Sequence, residues 1–418
     1  MRRPILAATL TIFLSFAGEY MAYTLVLVWL VNLLYNAGAD PLFAYGITGP
    51  VSFVYLIASG VLSVPFGTLA DRYGRRGFTV LGCLAAGVGL IALPATAGLT
   101  GATSILVVIA GIYLFVGIGH ASYTAGVLAF TGDVATAKES GEAFGLVELA
   151  EFASFSFAPA LGGAVATFLG LGPSFVASGL ILVLAGLVAF AGMKGTGAAA
   201  AAAAAAGPIN LPDGIEADQQ PRASQLTLFV RALSDIRIVV ALFATLVGAV
   251  ALQAFRNFVP LFGTQAKIPV FYITLFVTIE AAASLLIAIP TGLAIDRTGR
   301  RMPLLVAGLL GSAVTLSLTV LVPQIGPIAI WSALFGVFIG ITRVPPVVMI
   351  TDGTVPANRA ATMGTGHAFE HAGYGIGALV GGLLLSSFGF GTTFRYLMLA
   401  LIVSAVVFAA VSLVRKIR

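Results

Sequence analysis

Charge is what this 418-residue sequence has least of. Asp, Glu, Lys and Arg make up only 9% of it, 59% is hydrophobic, and the mean hydropathy is +1.06. Soluble domains carry about 25% charged residues, so a chain of this size has nowhere in water to hide so much apolar side chain, and the bilayer is its expected solvent. One cysteine, Cys83, excludes an internal disulfide. The sequence has no Walker-type phosphate loop, no Gly-x-Ser-x-Gly and no His-Glu-x-x-His, so direct ATP coupling and the commoner hydrolase chemistries have no support, and no enzyme is expected. Its basic residues are spread along the chain rather than gathered in a patch, which argues against nucleic acid as a partner.

Apolar length, by contrast, is abundant. A bilayer-crossing helix needs about 20 mostly apolar residues, and runs of that kind lie near 5–34, 43–70, 77–97, 103–131, 141–168 and 173–193, then near 237–262, 270–295, 302–322, 327–351, 360–387 and 392–414. The first resembles a signal peptide at its start, but its apolar pattern continues to about Leu34, too far for a removable segment. The expected organisation is therefore an all-α integral membrane fold of twelve spans. A six-helix bundle would occupy 1–193 and a second 237–418. A linker at 194–236 would join them, with nine consecutive alanines at 198–206 and a candidate interfacial helix at 222–236. Of 21 Lys and Arg, Lys267 and Arg395 fall in one set of alternate loops and Arg256 and Arg343 inside spans, leaving 17 in the other loops and the termini. The positive-inside rule then puts both termini and the linker in the cytoplasm and the chain in the cytoplasmic membrane.

Two stretches are written twice. VPFGTLADRYGRR at 64–76 returns as IPTGLAIDRTGRR at 289–301, with proline, glycine, aspartate and three arginines at an offset of 225 residues. Gly67, Asp71, Arg72, Gly74, Arg75 and Arg76, then Gly292, Asp296, Arg297, Gly299, Arg300 and Arg301, resemble the Gly-x-x-x-Asp-Arg-x-Gly-Arg-Arg signature of the major facilitator superfamily, placed as in that family between the second and third span of each half. The resemblance covers essentially the whole chain. It implies two pseudo-symmetric six-helix bundles, with spans one, four, seven and ten lining a central cavity and two, five, eight and eleven forming the interface. It also implies that each aspartate faces a span of the other half, and that the second arginine pairs with an acid ending span four or ten. The resulting clusters, Asp71–Arg75–Asp133 and Asp296–Arg300–Asp352, would form a conformational latch to which Arg72 and Arg297 belong. The plain alternative is that these arginines only anchor the topology.

The second repeat sets GLVELAEFASFSFAPALGG at 145–163 against GTGHAFEHAGYGIGALVGG at 364–382, with Glu151 and Glu370 in register. The first copy resembles the family's drug/proton-antiporter signature on span five through Gly145, Pro159, Gly162 and Gly163, although Ser154 and Ala158 stand where that signature has glycine.

Ionisable residues inside spans are costly, so each should face a cavity or a partner. Glu19, Glu148, Glu151, Glu280 and Glu370 are candidate proton carriers, because a desolvated carboxyl can hold its proton in one state and release it in another. Tyr20 and Tyr23 stripe span one. Tyr113, His120 and Tyr123 stripe span four. Gln253, Arg256 and Asn257 stripe span seven, Arg343 lies in span ten, and His367, His371 and Tyr374 share a face with Glu370. These are the expected cavity residues.

The resulting expectation is a monomeric secondary transporter without cofactors. It would run on a proton gradient and exchange protons for an amphipathic or cationic small molecule. Three other readings stay open at this point: proton-coupled symport of an organic anion through Arg256 and Arg343; transport of a divalent metal, with His367, Glu370 and His371 as weak ligands; and a transport-inactive membrane receptor.

Overall fold

The computed structural model describes residues 3–135, 139–193, 235–352 and 359–415. The poly-alanine linker and nearly all of the candidate interfacial helix lie outside the described residues. Among the described residues every regular element is helical. Spans one to six are Arg3–Asn36, then Pro41–Gly46 continued by Thr48–Tyr73, then Arg75–Ala92 with a 3-10 turn at Leu93–Gly98, then Ala102–Val134, Ser140–Leu169 and Leu171–Gly192. Spans seven to ten are Ile236–Gln265, Val270–Thr298, Arg301–Thr319 and Ile325–Asp352. The last two spans form a continuous helical segment, Arg359–Arg415, which changes direction at Gly389 (φ 72°, ψ 177°), where only glycine sits without strain. Counted as one, it brings the helices long and apolar enough to cross a membrane to eleven among the described residues. At about 1.5 Å per residue the longer helices exceed a hydrocarbon core of about 30 Å and reach past it at one or both ends.

The packing repeats itself. Span four lies against two and three, span one against five and six, and span three against six. Correspondingly, span ten lies against eight and nine, and both seven and nine pack on Arg359–Arg415. Two buried apolar clusters result, one centred on spans one to six and one on seven to twelve. Outward-facing side chains such as Val107, Phe168, Leu286 and Leu413 remain exposed, the surface that lipid would cover.

Between the halves span five meets eight and two meets eleven, with a smaller contact between one and seven. The two larger contacts are tight at one end only. The backbones at Gly49 and Gly382 approach so closely that neither has room for a Cβ, and Gly163 is similarly crowded by Thr274. Small residues let helices come this close in lipid. Beside Pro159, Thr278 of span eight accepts the Ala160 N–H at 3.0 Å. At the opposite, arginine-rich end the helices part. A Cβ on Gly67, Gly145 or Gly292 would meet no described residue within 4 Å. The molecule is closed at one end and open at the other.

The two copies of the charged turn differ in register. Gly74 (φ 98°) directly precedes the helix that begins at Arg75, whereas Gly299 is left-handed (φ 65°, ψ 5°), Arg300 is still extended (φ −89°, ψ 84°), and the helix begins at Arg301. Arg301 is thus the structural counterpart of Arg75.

Candidate functional site

A cavity of about 340 Å³ lies between the halves and runs from the level of Pro159 toward the open end. One wall is span five, which contributes Glu148, Glu151, Phe152 and Phe155. The facing wall is Arg256, Arg343, His367, Glu370, His371 and Tyr374. Tyr20, Tyr23, Tyr55 and His120 complete the lining.

The wiring of the buried acids differs. Glu19 is 3% exposed and collects donors from three side chains: the Tyr55 and Tyr123 hydroxyls both donate to it, and His120 Nδ1 lies 2.9 Å from Oε2. Glu280 is fully buried and takes Arg256 Nε at 2.9 Å. Glu370 takes Arg343 at 2.8 Å and the Tyr374 hydroxyl at 2.7 Å, with His367 Nδ1 at 3.6 Å. Both arginines also reach across to span five, Arg256 lying 4.6 Å from the centroid of the Phe155 ring and Arg343 5.5 Å from that of Phe152. Such cation–π contacts gain strength where water is excluded. Glu151 is half-buried and Glu148 exposed. Both line the cavity, and neither has a hydrogen-bond or ion-pair partner among the described residues.

The cavity is floored by a polar contact between the halves. Gln253 Nε2 donates to the Tyr23 hydroxyl at 2.6 Å and to Asn257 Oδ1 at 2.8 Å, and Tyr23 donates to the same Asn257 oxygen at 3.2 Å.

At the open end Arg75 bridges Asp71 (2.9 Å) and Asp133, and donates to the Ala129 carbonyl. In the second half Asp352 pairs with Arg301. The expected Arg300 partnership is corrected by the register of the turn: Arg300 lies before the helix and is exposed, and the first helical residue is the one that reaches span ten. Among the described residues Asp71 (60% exposed) and Asp296 (exposed) have no hydrogen bond or ion pair with the opposite half. The halves stand apart at that end.

The family model of the major facilitator superfamily matches residues 8–287 and 241–417. This chain belongs to that superfamily. It is a multi-pass membrane transporter, whose substrate is by kind a small molecule. Its fold is similar to that of a bacterial homolog of the human lysosomal transporter Spinster in an inward-facing, unoccupied conformation, at 16% identity and a TM-score of 0.74 over 97% of this chain and 95% of that one. It is also similar to the nucleoside transporter NupG, at 14% identity and a TM-score of 0.73 over 98% and 99%. A third likeness is to a POT family transporter in complex with 5-aminolevulinic acid, at 15% identity and a TM-score of 0.70 over 98% and 96%. Among curated proteins none matches in sequence.

Of the residues singled out in this facilitator's sequence, Tyr20, Tyr23, His120, Gln253, Arg256, Arg343, His367, His371 and Tyr374 line the cavity together with Glu148, Glu151 and Glu370. Tyr113, Tyr123 and Asn257 lie behind the wall: Tyr113 donates to the Tyr23 carbonyl, Tyr123 to Glu19, and Asn257 sits under the floor. Glu19 and Glu280 are likewise buried behind the lining. His367, Glu370 and His371 do not form a metal cage. The Nδ1 of His371 is bonded to its own helix at the His367 carbonyl, Glu370 is occupied by Arg343, and no group of three suitable ligands exists among the described residues. Sequence reasoning missed Tyr55, the residue that joins span two to Glu19 and His120. It sits in an apolar run with no charged neighbour, and nothing in its local pattern marks it.

Proposed function

We propose that this transporter exchanges protons for an organic cation by alternating access, with Glu151 as the carboxylate for which the two compete. The observation that carries the reading is the unequal pairing of charge around the cavity. Arg256 and Arg343 are each matched to an acid, while Glu151 and Glu148 on the facing wall have no hydrogen bond or ion pair among the described residues and only the more distant His120 and His367 as basic neighbours. An ionised carboxylate away from water needs a counter-charge, and a proton or a cationic ligand supplies it equally well. The rings of Phe16 and Tyr20 offer the apolar and π surface that an amphipathic cation uses, while Phe155 and Phe152 already carry Arg256 and Arg343. An anionic substrate would have to take an arginine from its carboxylate, so symport of an anion has less support.

The positive-inside rule places the arginine-rich, open end in the cytoplasm, so the conformation described is inward-open. Arg75 with Asp71 and Asp133, and Arg301 with Asp352, are then the parts of a latch whose cross-half contacts belong to the opposite state, when Gly67 and Gly292 would meet a neighbour. Two such states, one favoured by proton and one by substrate, are what coupling requires.

The test is proton-driven ethidium transport in proteoliposomes with an imposed pH gradient. Glu151→Gln is expected to reduce it to the level of empty liposomes while the protein stays monodisperse. Wild-type flux in that variant would overturn the assignment of Glu151, and absence of flux in the wild type, with binding retained, would favour a receptor.

A further inference from the structure

We infer that Arg343 is a specificity-determining residue that restricts the cavity to ligands with one positive centre. The inference rests on the cation reading above.

The argument is one of counting charges by wall. On the span-five side Glu148 and Glu151 are unpaired acids, one helical turn apart and open to the cavity. On the facing side stands a third cavity carboxylate, Glu370, and Arg343 cancels it. The other neighbours of Glu370 are the Tyr374 hydroxyl, which donates a hydrogen bond, and His367 at 3.6 Å, and neither carries a permanent charge. Arg343 is therefore the one permanent cation balancing the charge of this carboxylate among the described residues. The pair is also within a ligand's reach: its side chains are 31% and 17% exposed, against 11% and 0% for Arg256 and Glu280. Of the Arg256 pair only the arginine reaches the lining and its acid is sealed behind it, whereas both members of the Arg343 pair form part of the wall that a ligand touches.

A monocation can place its charge at Glu151 and its rings against Phe16 and Tyr20. A second positive centre on the same ligand would meet Arg343, which reaches across the cavity to Phe152, and like charges at contact distances repel. Without Arg343, Glu370 loses its one permanent counter-charge while facing Glu151 from the other half, and the cavity acquires carboxylates able to take a cation on opposite walls.

Ethidium and propidium separate these cases, because they share a ring system and propidium adds a quaternary ammonium. The purified full chain is titrated with each, by fluorescence, at one pH. The wild type is expected to bind ethidium at least about tenfold more tightly than propidium, the scale of one unrelieved charge contact. Arg343→Gln is expected to reverse that order, and Arg343→Lys, which keeps the charge, to preserve it. Equal wild-type affinities for the two dyes would overturn the inference without any variant being made. So would an Arg343→Gln protein that still binds ethidium but gains nothing for propidium. If the wild type binds neither dye, the cation reading itself fails and this inference falls with it.

Discussion

The two halves share a helical scaffold and differ in how they neutralise the acids buried in it. In the first half Glu19 has only hydroxyl and imidazole donors, from Tyr55, Tyr123 and His120. In the second half Glu280 and Glu370 each have a guanidinium. An arginine partner is always charged, so it fixes its carboxylate in the ionised form. A set of tyrosines and a histidine tolerates either form by rearranging hydrogens. The second half is thus built to hold charge still, and the first to let it change.

Substitution of Glu by Gln at matching depth breaks the comparison most sharply. Glu280→Gln strands Arg256 in a fully buried site, and the expected loss is about 3–5 kcal/mol, the range for removing one member of a buried pair. Denaturant unfolding in detergent measures it, and pairing the change with Arg256→Met should restore most of the loss. Glu19→Gln keeps an acceptor for Tyr55 and Tyr123, and its expected cost is about 1 kcal/mol. A cost at position 19 equal to that at position 280 would mean that the two halves do not differ in this way. The smallest effect is at the repeated turns. Arg301→Ala should lower stability by less than about 1 kcal/mol, because its pair with Asp352 is part-exposed. Arg300→Ala should leave stability unchanged, and the same unfolding curves report both. If Arg300 mattered and Arg301 did not, the one-residue offset between the turns would be wrong.

Much of the fold was legible from hydropathy alone, because a bilayer forces every backbone amide into a helix and makes each span a long apolar run. The duplicated turn exposed the two-fold organisation, and the depth of the glutamates marked the cavity. Hydropathy could not reveal the shift at Gly299, since both copies read Gly-Arg-Arg and only the backbone angles choose which arginine starts the helix. Nor could it sort the glutamates. Glu151 and Glu370 occupy equivalent positions in the repeat, yet one faces open cavity and the other meets Arg343 from span ten.

What the sequence alone determined is therefore the architecture and the inventory: twelve apolar helices, two related halves, and a small set of ionisable groups too costly to leave in lipid. Only the tertiary structure decided which of those groups are neutralised by a neighbour and which have no ion-pair partner among the described residues. Partnership depends on side chains brought together from distant helices, as Arg343 and Glu370 are from spans ten and eleven and Glu19 and His120 from spans one and four. No periodicity within a single helix encodes that meeting.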